Sequence, residues 1–162
     1  MPETAPRESP HATPDPLPWS TPGILVGIDG SEASRAALQY AAGIAPKLDV
    51  PLHALLIWDY PAVDFGAQGS YFSGTPRGLA EDARNLAAEE LSRQFPDGVP
   101  AWATAGERRG RVAQELINAS REAALLVVGS RGHGGFAGLL LGSVSDACVS
   151  HAHCPVLVVR AQ

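Results

Sequence analysis

The sequence predicts an α/β fold, a doubly wound five-stranded parallel sheet with helices on both faces in the Rossmann-like manner. Three observations predict it. Short apolar runs alternate with segments of helical periodicity in the order βαβαβαβαβ, which implies parallel strands joined by right-handed crossovers. Those runs are apolar almost without interruption, as strands buried on both faces are. A glycine-rich turn, Gly129 to Ser143, follows the fourth run and leads into the last helix.

Ile24-Leu25-Val26-Gly27-Ile28 reads as the first strand, ending at Asp29-Gly30-Ser31. Ser31 is a good N-cap for a helix through about Ala45, where Pro46 stops or bends it. Val50 to Trp58 is the second strand, and Tyr60 to Arg77, rich in glycine and proline, is a long loop. Gly78 to Phe95 is an Ala/Leu/Glu-rich helix, and Val99 to Ala105 a modest third strand containing Trp102. Arg111 to Glu122 is helical, and Ala123 to Val128 is the fourth strand. The last helix runs from about Ser143 to His151, and Pro155 to Val159 is the last strand. Ligands of such sheets bind beyond the carboxyl ends of the strands at the topological switch point. Asp29 and Gly129 are placed to flank that crevice.

Residues 1–22 contain seven prolines and few apolar residues, and are expected to form a disordered or loosely docked tail ahead of a single domain at 23–162. Within the tail, Trp19 either packs on the domain or is exposed. The chain has 162 residues, a formal net charge of -5 and one lysine, Lys47. Without a basic stripe, nucleic acid and an acidic membrane surface are poor partners. No run reaches the roughly 20 apolar residues of a spanning helix, and no secretory leader is read at the N-terminus. The two cysteines, Cys148 and Cys154, read as small buried thiols, and a cytoplasmic location is expected.

The glycine-rich turn invites a phosphate, because glycines admit close backbone approach and a helix N-terminus adds partial positive charge. It is neither a P-loop, which needs Gly-Lys-Ser/Thr, nor the dinucleotide Gly-x-Gly-x-x-Gly fingerprint. Its spacing is Gly129-x2-Gly132-x9-Gly142-Ser143, with Ser143 offering a hydroxyl and a cap. With Val26-Gly27-Ile28-Asp29-Gly30-Ser31, Leu141 to Ser145 and Cys154 to Val159, it resembles the ATP-binding type of the universal stress protein family from Ile24 to Arg160. The resemblance implies ATP, with Mg²⁺ on its phosphates, as cofactor. It implies that Asp29 lies near the ribose and metal-phosphate side, and that the Ile57 backbone meets the adenine edge. It places Val128 and Gly129 against the ribose and first phosphates, and Gly132, Gly142, Ser143 and Val144 on the phosphates. It also implies a homodimer through the last strand, Val156 to Val159, whose apolar edge is otherwise a liability. Where many relatives carry proline near the start of the third helix, this chain has Val112, expected to matter for that start alone.

Other residues are weighed beside these. Arg131 can meet a phosphate through its guanidinium fork; His133 either does so or is solvated. Trp58 either closes the pocket or lies in the core. His151-Ala152-His153-Cys154 lacks the second ligand pair of a closed zinc site. Ser143 has no nucleophile elbow around it, so hydrolysis, if any, is expected to be slow. A nucleotide-responsive stress or regulatory protein is the leading reading. The alternatives are a nucleotide-free dimeric interaction module and a slow ATPase or adenylyl-transfer enzyme on the same scaffold.

Overall fold

A computed structural model describes residues 16–59, 76–133 and 140–161. The strands β1 (Ile24–Ile28), β2 (Leu52–Trp58), β3 (Ala103–Arg109), β4 (Leu125–Gly129) and β5 (Val156–Val159) form one sheet in the order β3-β2-β1-β4-β5. Every pairing is parallel, with Val26 opposite Ala54 on one side and Val127 on the other. The helices are α1 (Glu32–Leu48), α2 (Pro76–Gln94), α3 (Val112–Ala119), prolonged by a 3-10 turn at Ser120–Glu122, and α4 (Ser143–His151). The chain winds outward from β1 to β3, then returns to build β4 and β5 on the other side. The reversal leaves a crevice at the carboxyl ends of β1 and β4.

Strand alternation sorts the core into two layers. Ile24, Val26, Leu52, Ala54, Leu56 and Val127 pack with alanines and Leu38 of α1 and with Ala83, Ala87 and Leu91 of α2. Leu25, Leu55, Leu126 and Val128 face the other way, onto Leu116 and Ala119 at α3 and Cys148 of α4. Alanine at Ala37, Ala41 and Ala45 lets α1 lie close to the sheet, and all three are fully buried. Ser31 caps this helix as expected, its hydroxyl accepting the Ser34 N–H at 3.2 Å.

Several boundaries differ from the sequence reading. Helix α1 passes through Pro46 to Leu48 and closes on Asp49 in the left-handed region (φ 54°). A proline in the last turn forfeits one internal bond, and the Asp49 N–H reaches back to the carbonyls of Ala45 and Pro46. Strand β3 begins at Ala103 rather than Val99, so Trp102 precedes it. Apolar Val99 to Trp102 suggested a strand, but Trp102 instead meets Phe95 edge to face at 5.5 Å, sealing the end of α2. The strand itself is polar because it lies at the sheet edge; its buried Arg108 donates to Glu115 at 3.3 Å. Most of the long loop expected at Tyr60 to Arg77 lies outside the described residues, and α2 starts at Pro76.

The described part begins before the expected domain boundary at Gly23. Residues 16–22 run over β2 and β3, on the face where α3 and α4 cover the other strands. Leu17 and Trp19 join that core layer. Trp19 stacks on His53, ring centroids 4.5 Å apart and planes 2° from parallel. The His53 Nε2–H donates to the Thr21 carbonyl at 2.9 Å, which leaves Nδ1 to accept the Thr104 hydroxyl at 2.8 Å. Gly106 makes room for this strap: a Cβ there would lie 2.3 Å from Pro18 Cγ.

Candidate functional site

At the switch point the carboxyl ends of β1, β2 and β4 and the starts of α3 and α4 enclose a cavity of about 390 Å³. Its size falls in the roughly 300–1,000 Å³ range of small-molecule sites. Asp29, Ile57, Val128, Gly129, Arg131, Gly132, Gly142, Ser143 and Val144, all named from the sequence, line it together.

One end is apolar. Ile57 faces the cavity because its strand neighbours alternate, so Leu55 and Ile57 point toward α3 while Trp58 points away. Trp58 packs against the α1–α2 layer and donates its indole N–H to Glu107, so it does not close the pocket. Val112 and Leu116, one turn apart on α3, complete this end. The valine that replaces the family's frequent proline thus forms cavity wall as well as helix start. Leu55, Val112 and Leu116 were missed as lining residues, although the i, i+4 apolar pair on a short helix was visible in the sequence.

The other end is made of backbone. Gly142, not Ser143, is the N-cap of α4 (φ -75°, ψ 164°), and no side chain caps the helix. A capping Ser143 was expected; the helix begins one residue earlier and makes it the first helical position. The N–H groups of the first turn therefore have no intrahelical acceptor. The two ends of the loop are tied through the Ser130 carbonyl, which accepts the Gly142 N–H at 2.7 Å and the Ser145 hydroxyl at 3.0 Å. Residues 134–139 of the glycine-rich turn lie outside the described residues.

Gly132 lies over Asp29: a Cβ there would be 2.8 Å from Asp29 Oδ2. Asp29 accepts the Ser31 N–H at 2.9 Å through Oδ1, and its own N–H donates to the Ser34 hydroxyl at 3.3 Å. Burial pushes the Asp29 carboxyl up, but the bonds from Ser31 and Ser34 and the charge of His133 outweigh it, and the pKa is lowered overall. The group is an ionised carboxylate at neutral pH. His133, exposed, donates its Nε2–H to the Asp29 carbonyl at 3.1 Å, bridging loop and first strand. The cavity thus pairs an apolar slot with a cradle of free N–H groups and one carboxylate, an arrangement suited to a flat apolar ring carrying an anionic tail. Cys148 and Cys154 are free thiols, the first buried and the second half-buried, in the same core layer as Leu116.

Comparison with known proteins gives the family and the fold. The profile of the universal stress protein family matches residues 23–160. Universal stress protein Rv2623 of Mycobacterium tuberculosis strain H37Rv is 36% identical over 154 residues, covering 90% of this chain and 47% of that protein. The chain thus spans about half the length of the curated relatives it matches. Among solved structures, universal stress protein UspA from Lactobacillus plantarum is 26% identical with a TM-score of 0.63, covering 86% of this chain and 97% of that one. A universal stress protein in complex with cAMP, 24% identical over 87% of this chain and 98% of its own, shares the fold with a TM-score of 0.63. Family profile, relatives and five-stranded parallel topology agree, and the chain belongs to the universal stress protein family.

Proposed function

We propose that the chain is a nucleotide-responsive regulatory protein that binds ATP in the switch-point cavity. One observation carries this reading: an apolar slot at Ile57, Val112 and Leu116 and an uncapped helix N-terminus at Gly142–Val144 open into a single cavity. The slot accepts the adenine, with the Ile57 backbone at its edge. The ribose lies against Val128 and Gly129, beside Asp29. The phosphates lie over Gly132 and the first turn of α4, where N–H groups and the helix dipole favour anions. Arg131 adds a guanidinium at the same end. That a family fold is known in complex with cAMP is in keeping with an adenine ligand.

Mg²⁺ fits the same end. It needs few protein ligands when phosphates supply the rest, and Asp29 is an ionised carboxylate beside the cradle. The ion would neutralise phosphate charge. The chain's own contribution at the phosphates is chiefly backbone N–H, which binds without moving protons, so the site reads as a sensor rather than a hydrolase.

We also assign the β5 edge to a homodimer contact. Val156–Val159 are only partly buried, and an apolar edge strand is stable in water when paired.

Isothermal titration with ATP, ADP and cyclic AMP tests the nucleotide reading, with Gly142→Asp as the decisive variant. Aspartate is a favourable N-cap, and Gly142 has an extended backbone any residue adopts, so the fold should keep its melting temperature. Its carboxylate meets the phosphates, and ATP affinity should fall by roughly 100-fold, the loss expected when charge-assisted bonds become repulsion. An unchanged ATP affinity in this variant overturns the assignment.

A further inference from the structure

A second cavity, of about 400 Å³, lies on the opposite side of the Arg131–Gly132 turn, between the start of α1 and the carboxyl ends of β4 and β5. It is lined by Ser130, Arg131 and Arg160 together with Ser31, Glu32 and Ala33 of the α1 start. Three features converge on it. Arg131 and Arg160 are both exposed, and neither pairs with a carboxylate among the described residues. The 17-residue helix α1 points its N-terminus here; Ser31 caps only the Ser34 N–H, leaving those of Glu32 and Ala33 without an intrahelical acceptor. Ser130 is only 7% exposed, and its hydroxyl has no hydrogen-bond partner among the described residues. Its backbone, by contrast, is fully engaged: the N–H donates to Val159 at 2.7 Å and the carbonyl accepts from Gly142 and Ser145.

A buried hydroxyl without a partner costs free energy unless something supplies one. Ser130 lines a cavity to which Arg131 and Arg160 bring guanidinium ions, the α1 start brings free N–H groups and Ser31 a hydroxyl, a set dominated by donors. Glu32 is the single opposing charge; it is exposed and belongs to the first helical turn, where a carboxylate already answers the helix dipole. The group that satisfies this donor set is a compact polyvalent oxyanion. We infer that the cavity is a second phosphate site, distinct from the nucleotide cavity and read chiefly by Arg160 and Ser130. Arg131 and Gly132 line both cavities, so occupancy of one fixes a wall of the other. The phosphate is either free, or carried by a phosphorylated group, or the terminal phosphate of a nucleotide reaching across the turn; all three present the same chemistry.

The test is isothermal titration of the 162-residue chain with pyrophosphate, with and without saturating ATP. The parent should show saturable binding that weakens about tenfold or more in Arg160→Ala, the loss of one charge-assisted contact. Ser130→Ala, which removes only the hydroxyl, should weaken it several-fold while leaving circular dichroism and melting unchanged. Binding that persists under saturating ATP identifies a free or carried phosphate. Displacement by ATP but not AMP, with Arg160→Ala weakening ATP and sparing AMP, identifies the terminal phosphate. Displacement by AMP as well puts pyrophosphate in the nucleotide cavity and overturns the second site. So does unchanged affinity in Arg160→Ala, or no saturable binding by the parent. Gly142→Asp keeps the two sites separable, because Gly142 does not line the second cavity: pyrophosphate bound by that variant supports the second site whatever becomes of ATP.

Discussion

Asp29 shows how much one position is asked to do. It follows β1 directly, accepts the Ser31 N–H and stands under Gly132, so backbone geometry and charge meet at one carboxylate. Gly132→Ala would bring a Cβ to within 2.8 Å of Oδ2, and the carboxylate must swing aside. We expect ATP affinity to fall about tenfold with little loss of stability, because the displaced group is a side-chain end rather than backbone; paired calorimetry and thermal melts check both halves. Asp29, Gly129, Gly132, Gly142 and Ser143 were legible from glycine spacing and strand ends, whereas Ile57, Val128 and Val144 came only through the resemblance to the family. Val112 and Leu116 were less so: an i, i+4 apolar pair reads equally well as core, and only the packing of α3 beside β2 shows that it borders a cavity. Ser143 was mistaken for a cap because serine outranks glycine there, yet the helix starts where the Ser130 carbonyl fixes Gly142.

At the scale of elements, the strap at residues 16–22 was the least legible part. Seven prolines in 1–22 argued for a disordered or loosely docked tail, and nothing local foretells that Trp19 finds His53 in particular across β2. The edge strand β3 was misplaced for a related reason: it is held by polar side chains, Thr104, Glu107 and Arg108, that meet partners elsewhere, so it lacks an apolar signature. Trp19→Ala should destabilise the domain by about 1–3 kcal/mol, the worth of a partly buried aromatic side chain, as a shift in the urea midpoint. Burial depresses the His53 pKa below 6.5, against a smaller raising effect of the Thr21 carbonyl. The unfolded chain then takes up that proton more readily than the native one. Stability from this group is complete above about pH 6.5 and is lost as pH falls through the depressed native value. Urea melts between pH 8 and pH 5 should show that loss in the parent and a smaller one in His53→Gln.

For the whole molecule, the order β3-β2-β1-β4-β5 puts the switch-point cavity at the sheet's centre and leaves β5 at one margin. Winding order was readable from the alternation of elements, since right-handed crossovers leave few alternatives. Association was not, since an edge strand states a need for a partner without naming one. Val158→Glu should convert a dimer to monomer in sedimentation; a dimer retained by the folded variant removes β5 from the interface. The strap lies ahead of the stretch that matches the family profile, which begins at residue 23. The central claim is that the switch-point cavity holds ATP, and a crystal structure of the chain grown with ATP and Mg²⁺ tests it most directly. The account predicts adenine between Ile57 and Val112, with phosphates on the N–H groups of Gly142 to Val144. Adenine bound outside this cavity, or an empty cavity at saturating ATP, would contradict it.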